Sequence, residues 1–181
     1  MSIEPGKYEL GPENGTLRIR TGRRGGAAKA GHDLLIEVAS WNATIDASAQ
    51  PAETRMSLSA DAKSMRVVEG TGGMMTLGSS DKDGIRQTID EEILKGAPIE
   101  FRSTDVQTRN DGGLQVDGEL ELLGKTAPVS FTLQTVEDGR LTAAAKLTQS
   151  DWGIKPYSAL FGALKVADEL DVEFGADLPS R

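Results

Sequence analysis

An alternation of apolar and polar side chains with a period of two residues runs through almost the whole of this chain, and it constrains the fold more than anything else in the sequence. Residues 114–122 put Leu114, Val116, Gly118, Leu120 and Leu122 on one face and Gln115, Asp117, Glu119 and Glu121 on the other. That is the repeat of a β-strand with one dry and one wet side. The last segment holds it longer: Leu164, Val166, Leu170, Val172, Phe174, Ala176 and Leu178 share one parity, interrupted by Asp168. Shorter runs centre on Leu17 and Ile19; Leu34, Ile36 and Val38; Trp41, Ala43, Ile45 and Ala47; Met56, Leu58 and Ala60; Ile99, Phe101 and Ser103; Val129, Phe131 and Leu133; and Leu141, Ala143, Ala145 and Leu147. Turn sequences at Asn110-Asp111-Gly112-Gly113, Gly124-Lys125 and Glu137-Asp138-Gly139-Arg140 separate some of them. Many strands on short connections imply antiparallel pairing, as a sandwich or a barrel.

One segment breaks the period. Ile85, Ile89 and Ile93 recur every fourth residue, which predicts a single helix over about residues 81–95. Ser80 is placed to cap it with Asp83 in the capping-box position, Gly96 to end it, and Pro98 to keep it from resuming. The stretch Glu69-Gly70-Thr71-Gly72-Gly73-Met74-Met75 before it reads as a loop.

Composition removes several functions. The 181 residues suit one domain, 1–181, with a core that needs no cross-links. There is no Cys, which excludes disulfides and thiolate chemistry, and one His, which excludes a His/Cys metal cluster. A net charge of −8 argues against nucleic acid as a partner. The start Met1-Ser2-Ile3-Glu4-Pro5-Gly6-Lys7 lacks a basic and then apolar leader, and no apolar run is long enough for a membrane span. The expectation is a cytoplasmic protein without a cofactor. No G-x-S-x-G elbow exposes a serine, Gly70-Thr71-Gly72-Gly73 lacks the dinucleotide pattern, and Asp81-Lys82-Asp83-Gly84 lacks the spacing of a calcium loop.

The candidate inward positions are small. Ala43, Ala47, Ala60, Ser103, Gly118, Ala143 and Ala145 all sit on apolar faces, and aromatic residues make up only 4% of the chain. Interiors pack densely, so small inward residues leave room either for a ligand or for a helix or sheet packed against them.

Several stretches in order resemble the YceI-like family, the lipocalin-like polyisoprenoid-binding proteins of bacteria. Gly6-Lys7-Tyr8-Glu9-Leu10 resembles its first strand, and Ala30-Gly31-His32-Asp33-Leu34 the motif around its early histidine. Residues 89–103, with Pro98-Ile99 and Phe101-Arg102-Ser103, resemble its helix running into a strand. Gly118 through Val129 resembles its G-x-L-x-[IL]-x-G-x-T-x-P-V hairpin, and Ser150-Asp151-Trp152-Gly153-Ile154 and Lys165-Val166-Ala167-Asp168-Glu169-Leu170 resemble its closing motifs. The chain departs from its relatives in showing no secretory signal, in carrying Leu17-Arg18-Ile19-Arg20 where relatives often have aromatics, and in the run Arg23-Arg24-Gly25-Gly26.

The resemblance implies a mainly β fold: a lipocalin-like, eight-stranded, antiparallel up-and-down β-barrel with one inserted helix, enclosing a long-chain isoprenoid or similar lipid, and in many relatives dimeric. The expected ligand-binding residues are His32, Arg23, Arg24, Leu34, Ile36, Trp41, Ala43, Met74, Met75, Phe101, Phe131, Ala143, Ala145, Tyr157 and Phe161. His32 either donates a hydrogen bond to a head group or is held by the backbone or by Asp33. Arg23, Arg24 and Lys29 form a basic rim for a phosphate or quinone oxygen, or a solvated loop. Met74 and Met75 either belong to a lid or plug the barrel end, and Trp152 is expected to be a structural plug. The function expected is lipid binding without catalysis; the alternative is an enzyme acting on a small apolar substrate with His32 as acid or base.

Overall fold

The computed structural model describes residues 3–136 and 139–178, so Glu137 and Asp138 of the expected turn lie outside the described residues. Strand backbones satisfy their N–H and C=O groups only on neighbouring strands. Twelve segments do so: β1 (Gly6–Leu10), β2 (Gly15–Arg24), β3 (His32–Val38), β4 (Trp41–Ala47), β5 (Arg55–Asp61), β6 (Met65–Gly72), β7 (Pro98–Thr108), β8 (Leu114–Leu122), β9 (Lys125–Thr135), β10 (Arg140–Thr148), β11 (Ser158–Ala159) and β12 (Leu164–Asp177). Their ladder runs β1-β4-β5-β7-β8-β9-β10-β12-β2-β3-β6, with the short β11 beside β12.

The eight expected strands and the twelve observed segments describe one object. Leu10 of β1 faces Ala43 of β4, and further along Arg18 of β2 faces Glu37 of β3. So β1 and β2 are halves of one bent strand, and β4 and β3 are halves of its neighbour. β5 and β6 make a third, with Trp41 opposite Ala60 and Val38 opposite Met65. Corners break these strands, and the corners are tied together: Ala39 N donates to Ser64 O at 3.2 Å and Asp61 N to Ser40 O at 3.0 Å. Counted with the unbroken β7, β8, β9, β10 and β12, the barrel has eight up-and-down strands. The β12–β2 ladder brings the last back to the first.

The helix replaces a missing wall. β6 pairs with β3 on one side only, because β7 starts opposite Asp61, before β6 begins. Helix α1 (Ser79–Thr88) lies along that free edge, with the Lys82 ammonium donating to Val68 O at 3.0 Å. The cap differs from expectation: Gly78, not Ser80, precedes the first turn, and its N–H donates to the Asp81 carboxylate at 2.9 Å. Residues Ile89–Leu94 continue as a wider π-helical turn, and Lys95 in a left-handed conformation ends it, as Gly96 N donates back to Asp90 O at 3.0 Å. The glycine-rich stretch is shorter as a loop than expected, because β6 carries pairing on to Gly72, opposite His32.

Two of the small inward residues serve packing. A Cβ on Gly118 would lie 2.5 Å from the Phe101 ring and from Arg102 O, so the ring covers the glycine. Ser103 accepts a hydrogen bond from Met56 N at 2.8 Å, just before a bulge in the β7–β8 ladder. On the wet face, charges link strands: Glu37 of β3 accepts from Arg66 of β6 and from Arg18 of β2. The Arg66 hydrogen bond holds the Glu37 carboxyl below its ordinary value against the opposing effect of partial burial, with the charges of Arg66 and Arg18 adding to it.

Two outcomes follow. Gly118→Ala lowers stability by ~1–3 kcal/mol, since the neighbours it meets include backbone; an unchanged denaturation midpoint contradicts this. Because Glu37 titrates lower when folded, its contribution is present above its unfolded value of about 4.5 and disappears as pH falls through the folded one. Glu37→Gln therefore costs up to ~1 kcal/mol at neutral pH, and the gap from the native protein narrows on acidification. Melting curves that stay equally separated from neutral pH down to strong acid contradict this.

Candidate functional site

The barrel interior is divided. At one end Val106, Val116, Leu141 and Ala176, none more than 1% exposed, pack the space solid. Beyond them lies a cavity of about 830 Å³ that follows the strands towards the end marked by Gly31 and His32. Both Leu164 and Phe174 line it, and that length of β12 spans roughly 30 Å at ~3.3 Å per residue, less in depth because barrel strands tilt. Volume and length together describe an elongated, tube-like space.

The sequence makes this tube in three ways. Ala43, Ala60, Ala143 and Ala145 present methyl groups where larger side chains would meet across the barrel. Of the other small residues, Ala47, Ser103 and Gly118 are not among the lining. Branched residues on strands, including Ile19, Leu34, Ile36 and Val172, give an aliphatic wall. The helix supplies the rest with Ile85, Ile89 and Ile93, so its apolar face closes the cavity. Many of these inward side chains are only half-buried, since they face open space inside the barrel. Polar side chains are few, among them Thr44 and Ser57 on one stretch and His32, Tyr157, Ser80 and Asp81 near the rim.

Of the residues read from the sequence, His32, Leu34, Ile36, Ala43, Phe101, Phe131, Ala143, Ala145 and Tyr157 line the cavity. The rest stand apart from its wall. Trp41 is buried with its indole edge-on to Phe174, ring centres 5.6 Å apart. Arg23 donates to Gly31 O and pairs with Asp33 at 3.6 Å, while Arg24 points to solvent. Met74 and Met75 are 83% and 79% exposed, so they neither plug the barrel nor lie over its wall, and Phe161 is fully exposed. Trp152 lines the cavity and also braces it, its Nε1–H donating to Leu120 O at 2.8 Å. Sequence reasoning missed the three isoleucines as wall residues. Their spacing marked a helix face; what it packs against follows only from the free edge of β6.

The rim is built on His32. Its Nε2–H donates to Met75 O at 2.6 Å. Gly73 has φ +71°, and a Cβ there would come within 2.3 Å of the same nitrogen, so only glycine lets the chain close over the ring. The histidine thus anchors the segment between β6 and the helix beside the opening. Among the described residues no group of three His, Cys, Asp or Glu is placed to hold a metal ion, and no helix is long and apolar enough to cross a membrane.

Comparison with known proteins agrees with this geometry. The profile of the YceI-like domain matches residues 36–178. BcnA of Burkholderia cenocepacia has a similar structure, with a TM-score of 0.66 at 12% identity, covering 92% of this chain and 96% of that one. A YceI protein of Campylobacter jejuni aligns with a TM-score of 0.54 at 12% identity, covering 81% of this chain and 85% of that one. At such identities the likeness shows the fold alone. No curated protein matches the sequence.

Removing the anchor frees the rim. In His32→Ala, amide hydrogen exchange over residues 73–77 accelerates while the barrel strands keep their protection. Unchanged exchange in that segment contradicts the anchoring role.

Proposed function

The chain belongs to the YceI-like family, and on that premise we propose that it binds one long apolar molecule of polyisoprenoid, quinone or fatty-amide type inside the barrel, for carriage, storage or sensing. The observation that carries this reading is the elongated cavity of about 830 Å³ with an aliphatic wall and with His32, Tyr157, Ser80 and Asp81 at its rim. Sites for small molecules have this size and character. An apolar cavity gains little from water, which needs two to four polar partners to sit well. A hydrocarbon tail in the same place gains ~0.8 kcal/mol for each buried CH₂.

Polarity orients the ligand. The tail lies against Phe131, Ala143, Ala145 and Leu34, and a compact polar head lies at the rim beside His32 and Tyr157. Arg23 is committed to Gly31 and Asp33, so it shapes the rim more than it meets the head. The protein acts as a binder rather than a catalyst: Nε2 of its one histidine is occupied by a main-chain carbonyl. Among the described residues no group of three His, Cys, Asp or Glu accompanies it that could hold a metal ion.

Titration with single-chain amphiphiles of increasing length, followed by native mass spectrometry, tests the reading. Affinity rises several-fold per added CH₂ until the tail outgrows the cavity, then levels off. Ala143→Phe, which fills the tube from one wall, lowers affinity at least about ten-fold while the protein stays folded. No binding at any length, or full binding in the filled variant, overturns the proposal.

A further inference from the structure

Among the described residues, the most exposed large apolar side chains lie at the open end. The ladder pairs His32–Gly72 and Arg24–Lys165 lie at the level of the rim. Two connections rise past it. One carries Met74 and Met75, both exposed; the other carries Leu160 and Phe161, also exposed. The second is unusual in its backbone. Leu160 and Phe161 are consecutive left-handed residues, with φ of 52° and 53°, a conformation unfavourable to side chains of their kind. The main chain holds the Phe161 ring out in solvent, where its packing inside the protein explains nothing.

Charge at this end runs against the rest of the chain. Three segments crown the opening: 23–32, 70–78 and 155–166. They hold Arg23, Arg24, Lys29, Lys155 and Lys165 and no acidic residue, in a protein with 28 acidic residues and a net charge of −8. Arg24, Lys29, Lys155 and Lys165 are exposed. Asp33 follows directly but is paired with Arg23, and Asp81 at the start of the helix is engaged by Gly78 N. Apolar and aromatic tips among lysines and arginines are the pattern of a surface that settles into the headgroup layer of an anionic bilayer.

We propose that the open end of the barrel docks on anionic lipid membranes, inserting Phe161, Leu160, Met74 and Met75 at headgroup depth, with Arg24, Lys29, Lys155 and Lys165 against the lipid charges. Docked in this way, the mouth faces the lipid phase, and an apolar ligand passes between bilayer and cavity without crossing water. This deepens the binding function proposed above and rests on it for the identity of the cargo. The docking itself stands on the exposed residues and the charge.

Co-sedimentation of the intact protein with vesicles tests it. The native protein sediments with vesicles of equal parts phosphatidylglycerol and phosphatidylcholine and stays in the supernatant with phosphatidylcholine alone or in high salt. The double variant Leu160→Ser, Phe161→Ser loses binding about ten-fold, and Lys155→Glu with Lys165→Glu does the same. Both keep the native circular dichroism. The cavity-filled Ala143→Phe still sediments, so a protein that docks but takes up no amphiphile refutes the ligand reading and leaves docking intact. Native protein that stays in the supernatant, or a serine variant that sediments fully, overturns docking. So does a dimer in solution that the serine variant dissociates without any vesicle binding, since Phe161 would then cover a second copy of the chain.

Discussion

The ladder between β12 and β2 is the contact on which the rest of the structure depends. An antiparallel meander left open exposes two edges. Here the last strand returns to the first, from Ala176 opposite Gly15 to Lys165 opposite Arg24. Closure sets the circumference, and eight strands set an interior wide enough for side chains or for one small ligand. The bulge in this ladder, between Val166 and Leu170, places Asp168, the residue that breaks the alternation. Its carboxylate accepts from Ser150 N at 2.9 Å and from the Ser150 hydroxyl at 2.6 Å. Beside it Gln149 donates to Ala167 O at 2.9 Å. The two closing motifs of the sequence are thus one fastening, and Trp152 follows from it into the cavity wall.

A closed barrel does not have to be hollow. Sealed voids made by trimming core residues cost about 24 cal/mol per Å³. At that rate a dry void of about 830 Å³ would cost ~20 kcal/mol, more than the ~5–15 kcal/mol stability of an ordinary domain. The space is therefore sustained by being open at one end. The alanines on facing strands keep it clear, and the helix keeps it lined where the sheet runs out.

The alternation made the strands legible, and the count of eight survives because, across the corners at 11–14, 39–40 and 62–64, the first bent strand stays paired with the second and the second with the third. The corners themselves were illegible as corners, since alternation does not tell a bend within one strand from a turn between two; the ladders show it. The cavity was legible only in part. Ala43 and Ala143 look alike in sequence to Ala47, yet only the first two line it, because register and depth decide what meets across the barrel. Met74, Met75 and Phe161 read as ligand contacts by their chemistry, but they lie on turns whose direction is fixed by backbone conformation. The helix cap moved because Asp81 reaches the N–H of Gly78, a choice between two neighbouring acids that composition does not make.

The central claim is that the barrel interior is a ligand tube. A crystal structure of protein purified gently from its natural source, without detergent, tests it most directly. The account predicts continuous tubular electron density from beside Phe131 and Phe174 to a broader head near His32 and Tyr157. An interior with no such density, in which Ile85, Ile89 and Ile93 have moved in to meet Ala143 and Ala145 and fill the space, would contradict it.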